Sequence, residues 1–325
     1  MTFPTRRHLL TLATGAALAA TAATGWAQAY PAKPITFVVP FAAGSATDQL
    51  ARALGQSITE QTGQAVVVEN KAGAAGMLAA QAVARAPADG YTVLIATNTT
   101  QAANPHLYRK LGYDPVKDFS PVSGLGKGGQ VLVVQASAPY KSVAELVAFA
   151  RKNPGKLSFG SGSASSRVAG EMFKDLAHVD ILHVPYKSNP NALTDLLGGQ
   201  IDLMITDTAT GLPHIKAGKL RALGFSATKR NALLPELPTL EEAGVKGYDM
   251  SYWFAAYLPA GAPAPVVNRL NELFGAAQKS AGGRAFFEGT GNDAWHSTPA
   301  ELARFQAAET DKWGRIIRAA GIEQE

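Results

Sequence analysis

None of the 325 residues is a cysteine, which rules out disulfide staples and thiolate metal sites. A chain this long can bury enough apolar surface to do without bridges even in an oxidising compartment. Charge is scarce, at 17% of residues. It is spread along the chain, with no Lys/Arg cluster of the kind that marks a nucleic-acid surface. Beyond the N-terminal segment no apolar run reaches the roughly 18 residues of a membrane span, so no membrane insertion of the mature chain is expected. Catalytic signatures are missing as well. There is no G-x-x-x-x-G-K-[ST], no H-E-x-x-H and no G-x-S-x-G. His178 and His183 stand five apart in an extended stretch and face opposite sides, so neither zinc nor any other cofactor is expected.

The chain does carry a distinctive N-terminus. Arg6-Arg7 precede an Ala-rich apolar run, and Ala27-Gln28-Ala29 places small residues where a signal peptidase reads them. Residues 1–29 are therefore expected to be an export signal and the mature chain to be periplasmic. TRRHLLT resembles a twin-arginine signal; a general secretory signal that carries two arginines is the alternative. Cleavage would leave 28 basic residues against 25 acids, a net charge of +3 instead of +5. A mild positive field of this kind suits a small anionic ligand.

From Ile35 onward, apolar runs alternate with helical patterns. Strands are expected at 35–39, 65–69, 91–97, 130–135, 157–160, 180–184, 201–206 and 220–225. Helices are expected near 47–61, 75–85, 142–152, 166–177, 190–198 and 209–217. The alternation predicts an α/β fold with mainly parallel sheets. Ser45 or Thr47 can cap the first helix, Ser142 with Glu145 makes a capping box, and Thr298-Pro299 with Glu301 opens the last helix. An aromatic strand within 248–263 is followed only by helices, near 263–281, 283–289 and 298–320. A block of helices without strands most simply packs back on the first sheet. The expected organisation is a signal at 1–29, a first lobe from 30–130 completed by the C-terminal helices of 253–325, a second lobe at 131–252, and a cleft between the lobes.

Two turns stand out against this background. Gly124-Leu-Gly126-Lys-Gly128-Gly129 matches G-x-G-x-x-G, but a strand follows it where a dinucleotide fingerprint needs a helix, so a flexible connector is expected. By contrast, strand 35–39 runs into AAGSATD and strand 157–160 runs into SGSASSR. Both are strand-to-helix turns built from very small residues, one in each expected lobe. A helix N-terminus presents unpaired N–H groups and a positive dipole end, and small side chains let an anion reach them. Phe41, Ala43, Gly44, Ser45, Thr47 and Asp48 in the first turn, and Ser161, Ser163, Ser165 and Ser166 in the second, are the expected ligand contacts. Plain helix capping is the alternative for either turn alone. Arg167 sits where its charge opposes the helix dipole and is expected to pair with a carboxylate. Asp207 ends a strand where α/β sheets gather ligands. Trp253 and Phe254 are expected either to wall the cleft or to lie in the core.

The strings YPAKPITFVVPF, VVVENKAGAAG, APADGYTVL, LGYDPVKDFSPV, HVPYK and IKAGKLRALG resemble the Bug/TctC family, the periplasmic solute-binding proteins of tripartite tricarboxylate transporters. The resemblance covers the whole mature chain. It implies a two-lobed periplasmic-binding-protein (Venus flytrap) fold with a ligand cleft between lobes, and no enzymatic activity. It also implies a small organic acid as ligand, inner-membrane transporter subunits as partners, and Phe41–Asp48 and Ser161–Arg167 as the gripping turns. The chain departs from the family pattern at Ala43-Gly44-Ser45, Arg167 and Ser188. Ser45 and Arg167 add polarity that fits a di- or tricarboxylate, and the aromatic residues near 252–254 fit an aromatic acid. An exported sensor that signals to a membrane kinase, and a serine hydrolase using the serine-rich turn, are the alternatives.

Overall fold

The computed structural model describes residues 30–325, so the export-signal reading of 1–29 lies outside the described residues. The strands are β1 (Ile35–Val39), β2 (Val66–Asn70), β3 (Thr92–Thr97), β4 (Phe119–Gln135), β5 (Ser158–Ser161), β6 (Leu182–Pro185), β7 (Leu203–Asp207), β8 (Leu220–Phe225), β9 (Ser251–Pro259) and β10 (Asp293–Ala294). The helices are α1 (Ala46–Thr62), α2 (Met77–Ala84), α3 (Asn104–Leu107), α4 (Val143–Lys152), α5 (Ala164–Ala177), α6 (Asn189–Leu197), α7 (Thr208–Lys216), α8 (Ala264–Lys279), α9 (Ala281–Thr290) and α10 (Pro299–Ala319).

Two sheets share one long strand. The strand order is β2-β1-β3-β9-β4-β7-β5-β6, with β10 and β8 also paired to β4. Phe119 to Gly129 of β4 pair with β9 in the first sheet, and Gln130 to Gln135 pair with β7 and β8 in the second. β4 thus changes partners between Gly129 and Gln130. The sheets are more mixed than expected. β1 runs parallel to β2 and β3, and β5 to β6 and β7, but β9 opposes both β3 and β4, and β4 opposes β7 and β8. The antiparallel ladders are those of the strands through which the chain passes from one half to the other.

The glycine-rich stretch 123–130 is strand, not a flexible connector. Its glycines serve close packing. A Cβ on Gly124 would run into the Trp295 ring, one on Gly126 into Phe287, and one on Gly128 into Asn292 and Tyr252. Aromatic side chains lie directly over a bare backbone, so a pattern that looks unstructured in sequence is tightly held.

Elsewhere the local rules hold. β1, β3 and β7 are buried on both faces, as their unbroken apolar runs require. Ser45 accepts from the Asp48 N–H and so caps α1. Thr298 and Glu301 close a reciprocal capping box on α10. On α4 the box is altered: Ser142 accepts from Glu145 N, but the Glu145 carboxylate takes the Lys141 amide. Phe37, Leu50, Leu54 and Ile58 between β1 and α1 are fully buried, each stabilising the fold by about 1.5–3 kcal/mol relative to exposure. The last helices lie on the first sheet. Phe274 stacks on Phe37 at 5.5 Å, Asn271 donates to the Val122 carbonyl at 2.8 Å, and the Trp253 indole donates to Glu309 at 3.0 Å.

Ser226 stitches the two crossing segments together. Its hydroxyl accepts from Gln130 N at 2.7 Å and donates to the Met250 carbonyl at 2.7 Å, and its own amide donates to the Gln130 carbonyl at 2.8 Å.

Candidate functional site

Pro40 ends the β1 ladder, and the chain turns through Gly44, whose φ of +80° favours glycine. Asp48 holds this turn from behind. It accepts from the Gly44 amide at 3.0 Å and from Asn70 Nδ2 at 3.0 Å, and it pairs with Arg52 at 2.9 Å. Burial works to raise the Asp48 carboxyl. The hydrogen bonds from Arg52, Gly44 and Asn70, together with the Arg52 charge, outweigh it and hold the group below its ordinary range. The cap takes the third amide of α1, so the amides of Ala46 and Thr47 remain outside the helix's own hydrogen bonding.

In the second sheet, Asn189 joins three neighbouring strand-to-helix turns. Its Oδ1 accepts from Gly162 N at 3.0 Å and Ser166 Oγ at 3.1 Å, and its Nδ2 donates to Asp207 at 3.0 Å. Asp207 caps α7 through Thr210 N at 2.8 Å. Ser163 caps α5 by accepting from Ser166 N, which leaves the Ala164 and Ser165 amides free of the helix. The N-termini of α5, α6 and α7 are thereby held together at the carboxyl ends of three parallel strands.

These turns and the end of β1 line one narrow, partly open cavity. Phe41, Ser45, Ala46, Thr47, Thr97 and Asn98 line it from the first half. Gly162, Ser163, Ser165, Ser188, Asn189 and Asp207 line it from the second, and Gln130, Tyr252 and Phe254 from the crossing strands. No Lys, Arg or His is among these residues, so neutral donors and helix dipoles supply the positive potential. The Asn98 side chain is fully buried with neither carboxamide atom partnered, and Gln130 Oε1 is likewise unpartnered. Burying such groups unpaired costs about 1–3 kcal/mol each, a cost that a polar ligand removes. The Tyr252 hydroxyl donates to Asn292 at 2.7 Å; burial first, then the Asp207 charge, raises its pKa.

Of the residues singled out in the sequence, Phe41, Ser45, Thr47, Ser163, Ser165 and Asp207 line the cavity. Ala43 and Gly44 are exposed on the outside of their turn, and Asp48 braces it. Ser166 is buried behind its turn on Asn189. Phe254 walls the cavity, whereas Trp253 is core. Asn98, Gln130 and Asn189 were not expected; Ser188 stood out only as a departure from the family pattern, and Tyr252 only as one of the aromatic residues near 252–254. Only the Ser188-Asn189-Pro190 helix start carried a usable signal.

Arg167 turns away from the cavity. Its Nη1 lies 2.7 Å from Glu325 Oε1, and the Glu325 backbone bonds both Arg109 N and the Leu107 carbonyl. This ion pair therefore joins α5 of the second half to the chain end held on the first. Ala42 N to Ser188 Oγ at 3.3 Å, and Gln49 Nε2 to the Ala209 carbonyl at 3.4 Å, are further contacts across the cleft. Ser161 also lies off the cavity, with its Oγ 2.7 Å from His183 Nε2. His183 packs on the Phe159 ring at 4.9 Å, and burial first, then Arg167, lowers its pKa to about 4. An unfolded histidine titrates near 6.5, so the unfolded chain takes up the proton first as pH falls and folded stability drops between pH 6.5 and 4. The full shift corresponds to about 3 kcal/mol, which partial solvent contact reduces to about 1–2 kcal/mol. Urea midpoints measured across that window should fall accordingly, and His183→Gln should flatten the slope.

The chain matches the family model described as the tripartite tricarboxylate transporter family receptor over residues 50–322. A Pseudomonas sp. (strain P51) protein described as the UPF0065 protein in the tcbD-tcbE intergenic region is 36% identical, covering 96% of this chain and 94% of its own. The structure of the periplasmic binding protein BugD superposes with a TM-score of 0.88 at 33% identity, covering 91% of this chain and all of that one. Rpa4515 of R. palustris, solved with adipate, superposes with a TM-score of 0.89 at 36% identity and the same coverage.

Proposed function

The chain belongs to the tripartite tricarboxylate transporter receptor family, and from that premise we propose that it is an exported, periplasmic solute-binding protein that captures a small organic acid for a transporter of this kind. The observation that carries the reading is the pair of helix N-termini, α1 from one half and α5 from the other, opening on one cavity whose lining residues include unpartnered buried polar atoms. Their free amides bind the carboxylate, with Ser45, Thr47, Ser163 and Ser165 beside them. The lobes comprise residues 30–130 with 253–325, and 131–252, and they close on the acid. The adipate held by the R. palustris relative supports an acid of this size. The sequence-based argument for a second carboxylate leaned on Ser45 and Arg167; Ser45 lines the cavity, but Arg167, the one cation of the two, pairs with Glu325 outside it, and the proposal therefore commits to one carboxylate at the helix ends.

Charge-assisted hydrogen bonds contribute about 1.5–3 kcal/mol each, so a few of them, less the cost of ordering, give affinity on the order of micromolar, about −8 kcal/mol. An acid at a hundredfold excess over its Kd should then stabilise the fold by about 2.7 kcal/mol. A thermal-shift screen of mono-, di- and tricarboxylates and aromatic acids tests the proposal. At least one should raise the melting temperature by several degrees, and no response from any class would overturn it.

A further inference from the structure

We propose that the end of the ligand remote from its carboxylate carries a hydrogen-bond donor, a hydroxyl, amine or amide N–H, and that Gln130 selects for it. The inference rests on the carboxylate-binding reading above and concerns the β4 side of the same cavity. Gln130 is 1% exposed, and its backbone is fixed by Ser226 on both sides. Its Nε2 donates to the Ile205 carbonyl at 3.3 Å, and its Oε1 has no partner. The Ile205 carbonyl can only accept, so the amide cannot be turned round without setting two oxygens against each other. The orientation of the amide leaves Gln130 with an acceptor oxygen wholly unsatisfied, beside the second hydrogen of Nε2.

Its neighbour adds more of the same. Asp207 is the direct ladder partner of Gln130 and also lines the cavity. Its carboxylate already accepts from Thr210 N and Asn189 Nδ2, and any further capacity it has is for accepting. The Tyr252 proton is committed to Asn292. With Gln130 Oε1 and the Asp207 carboxylate together, acceptors outnumber donors on this wall, which favours a ligand donor over an ionised carboxylate. Asn98, with both carboxamide atoms unpartnered, can meet a donor or an acceptor and does not discriminate. The carboxylate end stays at the helix termini, because α5 follows β5, two strands from β4 and so roughly 10 Å away.

The test is calorimetric titration of the wild-type protein with four- to six-carbon ω-hydroxy and ω-amino monocarboxylates against α,ω-dicarboxylates of equal length. At least one donor-tailed acid should bind tenfold or more tightly than its matched diacid. In Gln130→Met, which keeps the volume and removes the acceptor, that ratio should fall toward one. A diacid that binds as tightly as, or more tightly than, every donor-tailed acid of its length in the wild type overturns the inference and leaves the carboxylate reading standing. Failure of every acid in both series overturns the two together. The wild-type series decides the matter even if Gln130→Met does not fold.

Discussion

Gly162→Ala is expected to lower folding stability by about 3 kcal/mol and to abolish any acid-induced thermal shift. Gly162 lies in the turn between β5 and α5 with its backbone against that of Ser188 and Asn189; an added methyl would fall well inside contact distance of the Ser188 carbonyl and the Asn189 amide nitrogen. Overpacking of this kind costs about 1–3 kcal/mol, and the upper end applies because both sides are backbone that cannot rotate away. Separating the turns also breaks the Gly162 N to Asn189 Oδ1 bond and moves a wall of the cavity. Gly44→Ala is the control. No atom lies within 4 Å of its virtual Cβ, so only the left-handed backbone penalty of about 1 kcal/mol applies, and binding should survive. Denaturant midpoints and acid titrations on the two variants separate these outcomes. Equal behaviour would mean that the turn contact does not shape the site.

The second large effect is expected at Ala46. Proline there should weaken acid binding by about 10- to 100-fold, the equivalent of one charge-assisted hydrogen bond, with little change in the melting temperature of the free protein. Ala46 is the first residue of α1, where proline's fixed φ suits the helix and the missing N–H removes no helical bond. The preceding Ser45 already has φ −67° and ψ 157°, the conformation a following proline demands. The substitution deletes one main-chain donor from the cavity and leaves the scaffold alone. Ala46→Val provides similar bulk with the amide intact and should retain most of the affinity. If proline and valine variants bind alike, the backbone of this turn is not what holds the anion.

Much of this arrangement could be read from the chain, and what could not has a common cause. Apolar runs located β1 and β3 to within a residue, because a strand covered on both faces needs an unbroken run. Caps and small residues marked the turns at Ser45 and Ser163, since the first turn of a helix has local requirements that local sequence must meet. The first part of β4 was missed because its glycines make room for Trp295, Phe287 and Tyr252, which come from distant parts of the chain. Asn98, just past the end of β3, and Gln130, within β4, are single polar residues, and only the strand order gives them a shared cavity. Arg167 was recognised as misplaced for the helix dipole, but its partner, Glu325, comes from the far end of the sequence.

The change of partners within β4 has a mechanical consequence. Neither ladder crosses the peptide between Gly129 and Gln130, so a rotation about that peptide would break no rung on either side. Ser226 clasps that peptide to the second crossing segment and keeps the two from drifting apart. A turn of a few degrees is smallest beside Gln130 and greatest at the outer helices, and optical reporters of opening belong on those helices.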